Sequence, residues 1–258
     1  EMILQAIWEG FAAEKWTVGQ LATLEKRLAG IDLMESCRRA LRCERDMANQ
    51  FLDQVREDAD YKKAQGMVDL ARHWPSTDPI GWLDRNQLRF NELYMKFNRR
   101  IIDIRTRTIQ PGVAAEQLKY IEENKLKPDH VISNLIVLSI GPLVRQFGNS
   151  QTAIDQALLA CKLELHKLKK GAYPEKLDEL EGDLPTDPYS GKAYLYSALP
   201  GGETTGRYQL YGIGWNLKDD SGKIVINEWG GADNEKGDLV WSYSHPPALF
   251  DIPKPGEK

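Results

Sequence analysis

The chain has 258 residues, 41% of them hydrophobic and 28% charged, with a formal net charge of −4. Such a length can bury a real core as one large domain or two ordinary ones, and the composition is that of a globular protein. The acidic balance argues against a general nucleic-acid binder, which carries a basic surplus. Three cysteines, Cys37, Cys43 and Cys161, contain no CxxC pair and make neither a disulfide framework nor a zinc site; all three are expected as small buried or half-buried apolar residues. From Gly171 onward there are 15 acids and 8 bases, against 23 and 26 before it. Two differently solvated surfaces are expected, with the acidic one able to hold a cation.

In chain order, Thr17 is placed to cap a helix through Leu21, Leu24 and Leu28, with Gly30 just past its end. Asp32 opens a second helix carrying Leu33, Cys37, Ala40, Leu41, Met47 and Phe51 near helical spacing. The prolines of Trp74-Pro75 and Asp78-Pro79 disfavour helix in the residues before them and mark a break. Asp84 to Arg105 is again helical, with Leu88, Leu93, Tyr94, Phe97 and Ile101 on its stripe; Gln110-Pro111-Gly112 ends it, and a short helix with Leu118 and Ile121 follows. The apolar run Val131–Val144 spans 14 residues, short of the roughly 20 that cross a bilayer, and is expected as a buried core helix. Within Thr152–Lys170 the residues Ile154, Ala157, Leu158, Cys161, Leu165 and Leu168 predict an amphipathic helix, its terminal lysines suiting the helix dipole and Gly171 stopping it.

Beyond Gly171 proline and glycine become frequent and the apolar runs shorten. Ala193–Leu199, Arg207–Ile213 and Asp238–Tyr243 are predicted strands, with Pro200–Gly206 as a hairpin loop and the preceding helix as their cover. The tail Pro246–Lys258 is expected to be loose. The predicted class is therefore α+β: a mainly helical region over residues 1–127, then a long helix packed on a small three-stranded antiparallel sheet over 128–258.

ALLACKLELHKLKKGAYPEKLDEL (Ala157–Leu180), LPTDPYSGKAYLY (Leu184–Tyr196), YQLYGIGWNLKDDSG (Tyr208–Gly222) and Gly237-Asp238-Leu239 follow one another in the order seen in type II secretion pseudopilins. This part of the chain resembles the C-terminal domain of the major pseudopilin. The whole chain is similar to membrane-anchored proteins of planctomycete and verrucomicrobial type, whose role is not established and in which a helical region precedes these blocks. Unlike pseudopilins, the module stands behind roughly 130 residues and no prepilin cleavage signature precedes it, so assembly into a pseudopilus is not expected. The resemblance implies a calcium site in the loop after Tyr211. By position, Asn216 stands where the first side-chain ligand would be and Asp238 where the last would be, with Asp219 and Asp220 between them. Calcium takes 6 to 8 oxygen ligands, which carboxylates, amides and carbonyls supply. The plainer reading is a solvated Asp-rich turn closing a hairpin.

Other motifs point to structure. Tyr173-Pro174 and Asp187-Pro188 set chain direction. The four histidines, His73, His130, His166 and His245, form no ligand spacing, and no GxSxG, Walker or dinucleotide fingerprint occurs. Trp8, Trp16, Trp74, Trp82, Tyr94 and Phe97 are expected in core packing, with an aromatic binding groove as the alternative. The sequence thus predicts a non-enzymatic, extracytoplasmic structural or interaction protein with an unidentified protein partner and no nucleic-acid partner. Because the chain opens on Glu1 without an initiator Met, a membrane anchor ahead of it is expected. The competing reading is a hydrolase or a carbohydrate- or peptide-binding protein with a site between the helical and pseudopilin-like parts.

Overall fold

A computed structural model describes residues 2–57, 79–198, 208–228 and 232–241. The expected break from Trp74 to Asp78, the loop Pro200–Gly206, the tail from Pro246, and His73 and His245 lie outside the described residues. The fold is α+β: helices come first, interrupted by one pair of two-residue strands, and small antiparallel sheets follow them. The helices are α1 (Met2–Ala12), α2 (Val18–Ala29), α3 (Leu33–Glu57), α4 (Pro79–Leu93), α5 (Pro111–Asn124), α6 (Val131–Leu138) and α7 (Ile140–Lys170). The strands are β1 (Ile102–Asp103), β2 (Thr108–Ile109), β3 (Leu195–Ala198), β4 (Tyr208–Gly212), β5 (Ile224–Ile226), β6 (Ala232–Gly237) and β7 (Leu239–Trp241). Two compact units result: Glu35–Ile104 with Gln110–Val144, and Glu1–Met34 with Arg105–Ile109 and Arg145–Lys258.

In the helical unit, α3, α4 and α6 bury Leu52, Val55, Trp82, Leu83 and Ile132 together. Alongside this apolar contact runs a polar ladder. Arg45 and Asn49 of α3 meet Asn91 of α4, Asn49 and Asp53 accept from Gln87, and Arg56 pairs with Asp84 at 2.8 Å. Asn86 is fully buried; its carbonyl oxygen accepts the Ile132 amide at 3.0 Å, satisfying one of the free donors at the start of α6. The predicted helix Asp84–Arg105 ends sooner than expected. After Leu93 the chain makes a π-turn, Tyr94–Asn98, in which the Arg99 amide reaches back to the Tyr94 carbonyl. Leu88 is exposed because the buried face of this helix is set by Trp82, Leu83, Asn86, Phe90 and Leu93, while beyond it Tyr94, Phe97 and Ile101 stay buried. Met47, Leu118 and Cys43 are likewise exposed, against expectation, because α3 and α5 each bury a narrower stripe than assumed.

The stretch Pro128–Lys170 is long and apolar enough to cross a membrane by length and composition alone. Its first part is not the fully buried core helix predicted: α6 buries Ile132, Ser133, Asn134 and Val137 but leaves Leu135 60% exposed.

In the second unit the C-terminal part of α7 is the centre. Residues 151–161 are buried without interruption, so this helix has no solvent face there, although its apolar spacing reads as one-sided. Around it pack Ile7 and Phe11 of α1, Leu21 and Leu28 of α2, and the sheet β3-β4-β7. Thr17 caps α2 as predicted, its hydroxyl accepting from the Gln20 amide while the Gln20 side chain reaches back to the Thr17 amide. The Asp32 carboxylate accepts the Met34 amide at 3.0 Å and opens α3. Gly171, at φ +85°, closes α7 in a conformation that costs a side-chain-bearing residue energy.

All three predicted strands join one antiparallel sheet, in register Tyr196↔Leu210 and Leu210↔Trp241. Period-two alternation turns Tyr208 and Leu210 inward, where they join Trp241 against α7. Tyr173 and Tyr196 both lie against the Tyr208 ring, and the Tyr196 hydroxyl donates to the Pro174 carbonyl at 2.8 Å. The Tyr-Pro turn is thereby tied to the sheet. The long insert after Ser221 holds a second antiparallel pair, β5-β6, that periodicity did not reveal.

Leu163 is fully buried in this core, whereas Leu168, one turn and a half later, is 54% exposed. Leu163→Ala is expected to lower unfolding free energy by about 2–5 kcal/mol and Leu168→Ala by less than about 0.5 kcal/mol, measured by urea denaturation.

Candidate functional site

The loop between β4 and β5 and the residue joining β6 to β7 build the candidate cation site. After β4 the chain turns at Gly214–Leu217. The Asn216 carbonyl oxygen then accepts the Lys218 amide at 3.0 Å, and its amide group donates to Asp220 at 3.0 Å. Asp219 closes its own turn by accepting the Ser221 amide at 2.8 Å, and it also accepts the Tyr211 hydroxyl at 3.3 Å. Asp238 comes to this loop from the other side. Its backbone amide donates to the Lys223 carbonyl, and one carboxylate oxygen accepts the amides of Asp220 and Gly222 at 3.0 and 2.7 Å. Gly237, at φ +76°, makes that approach possible, since a Cβ there would lie 2.7 Å from the Lys223 carbonyl oxygen.

Asn216, Asp220 and Asp238 therefore form one hydrogen-bonded chain, while Asp219 is turned to Tyr211 and Ser221. Asp238 is only 3% exposed, and its second oxygen, Oδ1, is buried without a hydrogen-bond partner among the described residues. Burial raises the Asp238 pKa; the Gly222 and Asp220 amides oppose the rise, and the Asp219 and Asp220 charges add to it. A buried carboxylate oxygen with no donor, in a loop of amides, carbonyls and further carboxylates, suits a hard, oxygen-seeking cation. Among the described residues no group of three or more His, Cys, Asp or Glu is gathered tightly enough to hold a metal by such side chains alone. Backbone carbonyls and the Asn216 amide oxygen would have to complete the shell.

Asp187 and His130 are spent on structure. Asp187 caps its own turn: one carboxylate oxygen accepts the Tyr189 amide, and the other accepts the Ser190 hydroxyl and the Ile213 amide. That ties the Asp-Pro turn to the end of β4. In the helical unit, buried His130 meets Asp129 at 2.9 Å and the Tyr120 hydroxyl at 3.1 Å, so both ring nitrogens are occupied. Trp82, Tyr94 and Phe97 are buried, as core packing requires.

Sequence reading missed a buried carboxyl on the central helix. Asp155, 7% exposed, accepts from the Gln151 side chain at 2.8 Å and from the buried Tyr194 hydroxyl at 3.0 Å. Gln151 in turn accepts the Leu33 amide at 2.7 Å. The available signal was the sequence AIDQALLA (Ala153–Ala160), in which the other residues apart from Gln156 are small or apolar. Burial lifts its pKa to about 7, opposed by the bonds from Gln151 and Tyr194 and by the Arg107 charge, and reinforced by Asp187.

Comparison of the chain with models of protein families, with curated proteins and with solved structures finds no match.

A raised carboxyl pKa means that the folded chain keeps a proton the unfolded chain has already released. Asp155 therefore contributes most below the unfolded value of about 3.9, and its contribution falls as pH rises to about 7, by at most roughly 1.4 kcal/mol per pH unit. The Asp155→Asn variant lacks this dependence. Urea denaturation across that range is expected to show the native chain losing stability relative to the variant, with the difference levelling off above neutrality; parallel curves would contradict it.

Proposed function

We propose that the protein is a non-enzymatic structural or interaction protein of the extracytoplasmic side, membrane-anchored, whose C-terminal part is a pseudopilin-like module stabilised by calcium. The observation that carries this reading is the buried, donor-free oxygen of Asp238 in a loop rich in oxygen ligands. Asn216, Asp220 and Asp238 would hold the ion together with loop carbonyls, and Asp219 would add negative charge beside it. Calcium supplies there what no N–H group does, a positive partner for a desolvated carboxylate. The module's architecture, a long helix packed on an antiparallel sheet with Tyr-Pro and Asp-Pro turns tied into it, supports the same reading.

The role inferred is mechanical. Binding would fasten the loop after β4 to the β6–β7 junction, stiffening the end of the sheet, and the helical part would present a surface to a protein partner. Extracellular calcium modules work at dissociation constants of roughly 0.1–1 mM, which fits a site built from few carboxylates.

A ligand bound only by the folded chain raises its stability, by about 2.7 kcal/mol at a hundredfold excess over Kd. Thermal melting in millimolar calcium against chelator is expected to raise the midpoint by several degrees in the native chain and to leave Asp238→Asn unmoved. An unchanged midpoint in the native chain overturns the calcium reading.

A further inference from the structure

A small cavity lies in the C-terminal unit, lined by α2, the last turns of α7 and the segment from Glu179 to Glu181. Its volume, about 70 Å³, holds roughly five to seven waters. That is enough for a small molecule and too little for a nucleotide or an oligosaccharide. Lys162, His166 and Lys170 follow one another at spacings of four along α7, so they line the cavity from one helical face. Leu165 and Leu180, both buried, give it an apolar wall. The carboxylates come from other elements: Glu25 from α2, and Glu179 and Glu181 from the chain beyond α7.

Lys162 and Glu25 are the best-fixed of these charges. The Lys162 side chain is only 10% exposed; it pairs with Glu25 at 2.9 Å and donates to the Glu181 carbonyl at 2.7 Å. An ammonium has three donors, and among the described residues the third has no partner. Glu25 spends one carboxylate oxygen on Lys162, and its other oxygen has none either. A nine-tenths buried cation and its counter-ion thus each keep one hydrogen-bonding position at the edge of the cavity.

That pair decides what fits. A phosphate dianion would find Lys162 but would bring two charges among three carboxylates. A lone ammonium would find Glu25 but would sit among the cations of α7. A molecule with both charges on neighbouring groups lies head to tail along the ion pair, its carboxylate accepting from Lys162 and its ammonium donating to Glu25. Both bonds are charge-assisted, and no net charge enters a half-buried site. The rest of the molecule then meets Leu165 and Leu180, and the volume keeps it short.

We propose that this cavity binds a small aliphatic amino acid as its zwitterion, with the carboxylate held by Lys162 and His166 and the ammonium by Glu25. The cavity shares no residue with the calcium loop, so it stands whatever calcium does there.

The test is an NMR titration of the full chain with three ligands: L-valine, which carries both charges; 3-methylbutanoate, which lacks the ammonium; and L-valinamide, which lacks the carboxylate. Valine is expected to bind at millimolar concentrations, and each analogue about tenfold or more weaker, because each gives up a hydrogen bond between charged groups. This comparison needs no variant. His166→Ala replaces a half-buried helical residue by the best helix former and is expected to weaken valine about threefold or more. Lys119→Ala, on exposed α5, leaves it unchanged. Glu25→Gln is expected to remove most of the preference for valine over 3-methylbutanoate, which has no ammonium to lose. Absence of valine binding, equal binding of valine and either analogue, a preference kept in Glu25→Gln, or equal effects of His166→Ala and Lys119→Ala each overturn the proposal.

Discussion

The C-terminal unit depends on one constraint: α7 is buried on all its faces from Gln151 to Cys161. A helix with one apolar stripe can lie on a surface; a helix without a solvent face has to be enclosed. Ala153, Ala157 and Ala160 allow close approach, and Leu158, Leu159 and Leu163 fill the space toward the neighbours. The enclosure explains why α1 and α2 and the distant sheet belong to one compact unit. Neither the sheet of three short strands nor the pair of short helices could bury enough apolar surface alone.

Enclosure has a cost, because the same eleven residues include Gln151, Thr152, Asp155 and Gln156. A buried polar side chain without a partner is destabilising by about 1–3 kcal/mol, and Gln151, Asp155 and Gln156 are all used. Gln151 accepts from the start of α3 and donates to Asp155, Asp155 accepts from Tyr194, and Gln156 donates to the Leu239 carbonyl at 2.6 Å. Apart from the Gln151–Asp155 bond within the helix, each joins the helix to a different surrounding segment. The polar residues thus fix where the wrapping elements sit, while the apolar ones supply the driving force. The Gln156 bond to Leu239 lies one residue from Asp238, so the central helix also positions one wall of the candidate cation loop.

Much of this was legible in the sequence, and the failures have physical causes. Thr17, Asp32, Gly171 and the three aromatic-rich strands announced themselves through local chemistry, which needs no knowledge of the rest of the chain. The helix Thr152–Lys170 was found, but its apolar offsets suggested one buried face. Polar residues on the other faces look solvated unless their partners, tens of residues away, are known. The π-turn at Tyr94 was invisible because one inserted residue leaves composition unchanged while rotating everything after it. The β5-β6 pair escaped because Ile224–Ile226 is too short to show a period. At the candidate site the Asp-rich loop could be read directly. The burial of Asp238 and its unpartnered oxygen could not, since both follow from the fold of β6 and β7 back onto that loop.

Hydrogen exchange of backbone amides tests the enclosure of α7 most directly, because a helix buried on all sides opens only when its surroundings do. Residues 151–161 are predicted to exchange in the slowest class of the C-terminal unit, with a free energy equal to that of its global unfolding, while the last turn near Lys167–Lys170 exchanges much faster. If the amides of 151–161 exchanged as fast as that last turn, the helix would have a free face, and the account of how this unit is held together would be wrong.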